Sequence, residues 1–400
     1  QRQMCIRDRF RFIQGLGGGA LLVTSQTIIT ESYPPEKRGL AQAIYGMGVI
    51  VGPTLGPPLG GYIIDNWSWP YIFYINIPIG IIAVLLTISF VRSPKYAEKS
   101  KLSQVDFLGI ILLAIAVGSL QYVLEHGQQD DWFSDSTIVT LSIASFFGFI
   151  LFVWRELVFK HPIVNLRVLK DSNLAVGTIL SFILGFGLYG STFIIPIYTQ
   201  SILGWTATDA GLLLIPSSLM TAFMMPIIAT MLQKGVPPKY MVAGGFFIFF
   251  CYSFWSYKIL TPDTGSEHFF WPLIVRGVGL GLLFVPVTTL SLSSLRGQQI
   301  GEGAAFTGMM RQLGGSFGIA IITTFISRWT VGHRTNLVSH LDTSDFDVQK
   351  HIQNLQMSFV SKGFAPNEAL NKAYNLLDLQ VTKQATVLTY MDVFLSLIHI

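Results

Sequence analysis

Residues 39–64 read GLAQAIYGMGVIVGPTLGPPLGGYII, a run without one Asp, Glu, Lys, Arg or His. It is long enough to cross a bilayer core, which takes about 20 mainly apolar helical residues. Gly48, Gly52, Gly56 and Gly60 recur every fourth position, with Pro53 and Pro57 between them and Gly61 following. On a helix, a spacing of four gathers residues on one stripe, and bare glycines let another backbone approach closely. The prolines remove ladder donors and favour a bend. A barrel strand would alternate in polarity, whereas this run is apolar on every face. The stretch therefore reads as a bent membrane helix with a close-packed seam, the surface that a gate between moving halves needs.

Working outward, similar runs occupy about 10–30, 71–91, 107–125, 137–154, 174–199, 207–232, 240–258, 269–292 and 303–327, and a further one starts near Gln384. Only 12% of the 400 residues are charged and the mean hydropathy is +0.53. Soluble domains carry about 25% charge. An ordinary soluble enzyme, a disordered chain and a nucleic-acid binder are thereby excluded. Cys5 and Cys251 are too few for a disulfide framework. The opening string QRQMCIRDR (1–9) and the closing SLIHI (396–400) resemble translated adapter sequence. Both are expected to be non-native, and the chain is expected to be an internal fragment of a longer protein.

Orientation follows from Lys and Arg, which concentrate in cytoplasmic loops. The odd-numbered connections hold thirteen: Lys37, Arg38, Arg92, Lys95, Lys99, Lys101, Arg155, Lys160, Arg167, Lys170, Lys234, Lys239 and Arg296. The short even-numbered connections hold none apart from Lys258 at a span end, and carry acids instead, among them Asp65, Asp130, Asp135, Asp209 and Glu267. Odd connections are therefore expected in the cytoplasm. The long stretch 328–383 then falls outside, where the spacing of Ile352, Leu355 and Phe359 suggests a structured helical cap.

An internal repeat relates the two ends of the chain. Displaced by 262 residues, Gly15, Gly17 and Gly19 fall on Gly277, Gly279 and Gly281, and without a gap Gly39, Gly46, Gly52 and Gly56 fall on Gly301, Gly308, Gly314 and Gly318. Eight spans separate the equivalent helices. That number is even, so the repeats run parallel about an axis along the membrane normal, a transporter architecture with substrate held between the halves.

Charges inside spans are costly and functional by default. Arg11, Arg276 and Arg311 lie within runs, as does one acid, Asp392. Arg11 and Arg276 are expected near the outer ends of their spans, where snorkelling is easy, and Arg311 about two turns into its helix. Gln14 is the repeat partner of Arg276.

Several motifs now carry a resemblance. Arg11-Phe12-Ile13-Gln14-Gly15 resembles the R-x-x-Q-G signature in the fourth helix of major facilitator drug:proton antiporters. Gly52-Pro53-Thr54-Leu55-Gly56-Pro57-Pro58-Leu59-Gly60-Gly61 resembles their fifth-helix antiporter motif, with Ala43 in place of its early glycine. Tyr33–Arg38 and Phe73–Gly80 are similar to the fourteen-helix EmrB/QacA branch. The resemblance implies an all-α polytopic membrane protein with the major facilitator fold, two parallel six-helix halves plus two extra helices. Equivalent helices eight rather than six spans apart agree with two added spans. On this reading 10–91 holds the last three helices of the N-terminal half and 107–154 the two linking helices. Residues 174–327 hold the first five helices of the C-terminal half, 328–383 the outer loop and 384–395 the start of the last helix. The first three helices would be missing.

For function the resemblance implies proton-driven export of lipophilic drugs and toxic compounds across a bacterial inner membrane by alternating access. Arg11 would belong to proton coupling, with Asp392 a second candidate. The stripe Gly48, Gly52, Pro53, Gly56, Pro57, Gly60 and Gly61 would seal the cavity. Gln14, Asn76, Tyr189, Arg276 and Arg311 are the candidate cavity residues. No cofactor is expected beyond the proton gradient, and the implied partners are a periplasmic adaptor protein and an outer-membrane channel. The same fold could instead export one endogenous substrate, such as a siderophore or metabolite. A membrane enzyme or sensor is a more distant alternative, since the histidines lie in loops on opposite faces and no nucleotide or metal motif is suitably placed.

Overall fold

The computed structural model describes residues 2–91, 106–159, 162, 164–342 and 344–399. In chain order the helices are α1 (Arg2–Glu31), α2 (Arg38–Asn66), α3 (Tyr71–Tyr74), α4 (Asn76–Phe90), α5 (Phe107–His126), α6 (Ser136–Val158), α7 (Ser172–Ser201), α8 (Ala207–Leu212), α9 (Ile215–Gln233), α10 (Pro238–Ile259), α11 (Ser266–Leu292), α12 (Gln298–Ser339), α13 (Phe346–Ser361) and α14 (Pro366–His399). No strand occurs among the described residues. The loop charges Arg92, Lys95, Lys99, Lys101 and Lys160, with Gln1 and Ile400, lie outside them.

Among the described residues nine segments are long and apolar enough to cross a membrane, with α3–α4 and α8–α9 each counting as one. The expected run 10–30 lies on α1, which already begins at Arg2. The protein is thus an all-α polytopic membrane protein. The helix starts follow local chemistry, because the first backbone N–H groups of a helix need acceptors. Asp135 accepts from Thr137 and Ile138 N–H at 2.7 and 3.1 Å to open α6, and Asp171 accepts from Leu174 N–H at 2.9 Å to open α7. Gly204 and Gly235, at φ of 71° and 87°, turn the chain after α7 and after α9.

The main core joins α7, α9, α10, α11, α12 and α14, with Ala43, Tyr45 and Ile50 entering from α2. Close approach of α7 and α12 rests on bare glycines. A Cβ on Gly185 would strike the Arg311 carbonyl, and one on Gly314 would strike the Phe182 carbonyl. The hairpin α5–α6 packs on itself and reaches α12 through Ser316 Oγ, which donates to Gln121 at 2.8 Å. None of the residues of α3 or α4 is buried, as suits helices facing lipid.

The repeat has a direct structural counterpart. Moved by 262 residues, the bounds of α1 and α2 become 264–293 and 300–328, against α11 at 266–292 and the first thirty-one residues of α12 at 298–328. Beyond that point the two differ. A helix rises 1.5 Å per residue, so the 42 residues of α12 extend for about 63 Å, twice the hydrocarbon thickness. The stretch 328–383 is accordingly helical along most of its length: α12 continues to Ser339, α13 follows, and α14 starts at Pro366, well before Gln384. The last helix thus begins earlier than its apolar run, because its first turns are polar and stand on α13 through the buried Ile352.

Candidate functional site

The centre of the molecule lies where α2 meets α8, α9 and α11. The face of α2 that makes this contact carries Gly46, Ile50, Pro57 and Gly61. A Cβ on Gly46 would sit 2.7 Å from the Phe284 ring and 2.9 Å from Met225 Cε. Towards the other end, a Cβ on Gly61 would lie 2.7 Å from the Ala207 backbone, and one on Gly211 would lie 2.6 Å from Pro58 N. Backbone therefore touches backbone, which no side chain but hydrogen permits. Thr208 completes this seam by donating its hydroxyl to Asp65 at 2.5 Å.

Gly48, Gly52, Gly56 and Gly60 form the opposite stripe of the same helix, and each has open space where a Cβ would stand. Of the motif, the structure brings Pro57 and Gly61 to the opposing helices and leaves the four-residue stripe away from them. Pro53 lies on α2 and Arg11 on α1.

At the other end of α2, Arg38 Nη1 donates to the carbonyls of Leu292 and Leu295 at 3.2 and 3.1 Å. The Leu292 carbonyl closes α11 and that of Leu295 lies three residues beyond it, where a cation suits the negative end of the helix. Nearby, Gln26 donates to Gln42 at 3.1 Å and Gln42 donates to Thr30 at 2.7 Å, a buried chain linking α1 to α2. The sequence reading placed Arg38 among the loop charges and in the Tyr33–Arg38 motif, and passed over both glutamines. Two amides and a hydroxyl inside apolar runs were the available signal.

Between these seals lies a cavity of about 40 Å³, lined by Val49 and Ile50 of α2, Tyr189 and Thr192 of α7, Ser218 of α9 and Arg276 of α11 among others. It has room for a few waters. Drug-sized ligands need several hundred Å³, so this cavity is too small to hold one. A wider cavity of about 740 Å³ opens on the surface between the α7–α8 turn and the start of α11, lined by Trp205, Asp209, Pro216, Glu267, Phe270 and Trp271 among others.

The two central arginines differ sharply. Arg276, a candidate cavity residue near the end of a span where snorkelling would be easy, is 2% exposed and turns inward. Its Nε donates to Ser191 Oγ at 2.9 Å and Nη1 to Ser217 Oγ at 3.0 Å. Nη2 donates to the Leu188 carbonyl at 3.3 Å and to Thr192 Oγ1. Its position ten residues into α11 places it out of reach of solvent, and hydroxyls from α7 and α9 replace the water. Arg311 is 6% exposed, and its guanidinium carbon stands 4.8 Å from the centre of the Phe284 ring. Its Nη1 has no hydrogen-bond partner.

Tyr189 lines the central cavity, its ring fitted against Gly315. Gln14 is exposed on α1, and Asn76 is exposed on α4, where it donates back to Ile72 O at 3.4 Å; neither lines that cavity. Asp392 of α14 lies elsewhere, 2.7 Å from His333 Nε2 of α12, with side chains 33% and 29% exposed. His333, expected in a loop, stands on the extended part of α12. Among the described residues no group of three or more His, Cys, Asp or Glu is arranged to hold a metal ion.

Comparison with known proteins agrees with this architecture. The family model of the Major Facilitator Superfamily matches residues 10–319. The fatty acid resistance protein FarB of Neisseria gonorrhoeae is 32% identical over 97% of this chain and 74% of its own length. The multidrug export protein EmrB of Escherichia coli K12 is 31% identical over 96% of this chain and 73% of its own. The colistin resistance protein EmrB of Acinetobacter baumannii is 26% identical over 93% of this chain and 72% of its own.

Proposed function

Because the chain belongs to the major facilitator superfamily as an efflux transporter of the EmrB type, not an enzyme, we propose that it exports lipophilic compounds in exchange for inward-moving protons. The observation that carries this reading is the pair of seals on α2. One is the backbone contact of Pro58 and Gly61 with α8, and the other is the Arg38 bond to the end of α11, with the small central cavity between them. A carrier working by alternating access must open these seals in turn, one by parting backbone contacts and the other by releasing the Arg38 hydrogen bonds.

The names of the relatives, which speak of fatty acid resistance, multidrug export and colistin resistance, support a cargo that is amphipathic and toxic to membranes. Arg11 and Asp392 are the groups we assign to proton coupling. A bacterial inner membrane is the proposed location, with a periplasmic adaptor and an outer-membrane channel as proposed partners. Proteoliposomes with an imposed pH gradient test the reading. Substrate should move against its own gradient and release trapped protons, and substrate movement indifferent to the pH gradient would defeat proton exchange.

A further inference from the structure

A buried cation without an acceptor is costly in a membrane protein and calls for a counter-charge. Arg276 and Arg311 are both buried within the C-terminal half, yet only Arg276 has all three guanidinium nitrogens engaged, by four acceptors. Arg311 forms no ion pair with any carboxylate among the described residues, and its Nη1 is unbonded. Its neighbours are the Phe284 ring and the Tyr45 phenol of α2, whose oxygen accepts from the guanidinium while its own proton is donated to the Leu22 carbonyl at 3.2 Å. Arg311 therefore lies at the junction of the two halves. It also stands one helical turn before Gly315, which seats the ring of cavity-lining Tyr189.

We propose that Arg311 is the anchor for the anionic head of the exported substrate, and that the preferred cargo is an amphipathic monoanion. This rests on the export reading above. One guanidinium with an unbonded Nη1 and no carboxylate partner among the described residues matches one negative charge. A dianion would leave its second charge uncompensated, because the donors of Arg276 are already engaged, and a lipophilic cation would meet two buried positive charges. The aromatic and aliphatic surroundings suit an alkyl or aryl tail. Opening of the seam between α2 and α11 would uncover the guanidinium to one side of the membrane at a time.

The test uses the purified full chain with two probes of opposite charge, dodecanesulfonate and tetraphenylphosphonium. Binding is measured by equilibrium dialysis and transport in proteoliposomes under a pH gradient. Wild type should bind the sulfonate more tightly than the phosphonium. Arg311→Gln should weaken sulfonate binding by about 30-fold or more, the consequence of truncating one side of a buried charge pair. Arg311→Lys, which retains charge and loses the planar fork, should weaken it by about tenfold. Phosphonium binding should not fall in either variant. Sulfonate affinity unchanged in both variants, including the case where an acid of the chain itself pairs with Arg311, would overturn the proposal. So would a wild type that prefers the phosphonium. Proton-driven movement of phosphonium alone would overturn this inference and leave the export reading standing. Arg311-dependent sulfonate binding without proton-driven movement of either probe would have the reverse result.

Discussion

Replacing Arg276 and Arg311 by methionine should change stability in opposite directions, although both are buried arginines on neighbouring helices. Methionine keeps length and apolar bulk while removing the charge. At Arg276 the substitution deletes four hydrogen bonds. A hydrogen bond to a charged group contributes about 1.5–3 kcal/mol, so the gross loss is about 6–12 kcal/mol. Against it stands the relieved desolvation of the guanidinium, several kcal/mol. The hydroxyls left behind are not fully stranded, since Ser191 already donates to Gly187 O and Thr192 to Leu188 O, each at 2.6 Å. They lose only an acceptor role, and the net cost should be about 2–5 kcal/mol. At Arg311 the same change removes no hydrogen bond at Nη1, one ring contact worth about 0.5–2 kcal/mol and the bond to the Tyr45 hydroxyl, worth about 1.5–3 kcal/mol. The relieved desolvation is at least as large, so stability should hold or rise. Thermal unfolding of both variants in one detergent, without ligand, reads the difference. A fall of equal size in both would refute the division of labour between the two arginines.

The two stripes of α2 should respond differently to a single added methyl group. Gly211→Ala or Gly61→Ala should abolish transport by forcing backbone from backbone at the seam, whereas Gly56→Ala should leave helix packing intact, as thermal stability and vesicle uptake would show. The α5–α6 hairpin should loosen in acid. Burial alone would raise the pKa of the Asp106 carboxyl, but the Arg155 guanidinium at 3.0 Å and the Gly109 N–H more than offset it, and the pKa lies below the usual carboxylate range. Its stabilisation is therefore complete above about pH 4 and lost as pH falls through the lower folded value. Hydrogen exchange of α5 should show that loss, and Asp106→Asn should expose α5 to exchange already at neutral pH. Arg11→Ala should abolish proton-coupled export while leaving membrane insertion intact, and normal transport by that variant would remove Arg11 from the mechanism. Asp392→Asn should likewise uncouple export if Asp392 carries the proton; coupled export with only a weakened α12–α14 contact would reduce it to the structural partner of His333.

The spans and the repeat were legible because lipid imposes a one-dimensional rule. A helix that must shed water along its whole length shows it in composition, and a duplicated pair of helices keeps its spacing. What stayed hidden depends on which face meets which neighbour. The period-four glycines of α2 announce a close-packed stripe, yet Gly46, Ile50, Pro57 and Gly61 form a second stripe on the same helix, and it is this one that receives α8, α9 and Phe284. Both stripes satisfy the same sequence rule, and only the position of the opposing helices distinguishes them. The partners of Arg276 were equally hidden. Ser191, Thr192 and Ser217 are 85, 84 and 59 residues away, on α7 and α9. Hydroxyls in membrane helices ordinarily bond to their own preceding turn, so nothing local marks them as acceptors.

The repeat sharpens the case for where the chemistry sits. Gln14 and Arg276 occupy equivalent places in α1 and α11, and the surrounding glycines are shared between the two helices. Shared glycines keep the backbones alike, so the two positions differ mainly in charge. In the C-terminal half that charge is enclosed by three hydroxyls and a carbonyl, with Arg311 and its unbonded Nη1 on the next helix, whereas Gln14 is neutral and exposed. A duplicated scaffold that places both buried cations in one half and opposes them with uncharged Ile50 and Tyr45 of the other is asymmetric where substrate would lie. The C-terminal half then holds the anionic head, and α2 supplies an apolar surface that can slide past it. Placing a glutamate at Ile50 should test this division. It would set a negative charge in the cavity that Ile50 and Arg276 line and should repel the sulfonate from the centre while leaving the seam glycines untouched. Retained sulfonate affinity in Ile50→Glu would show that the anion binds elsewhere.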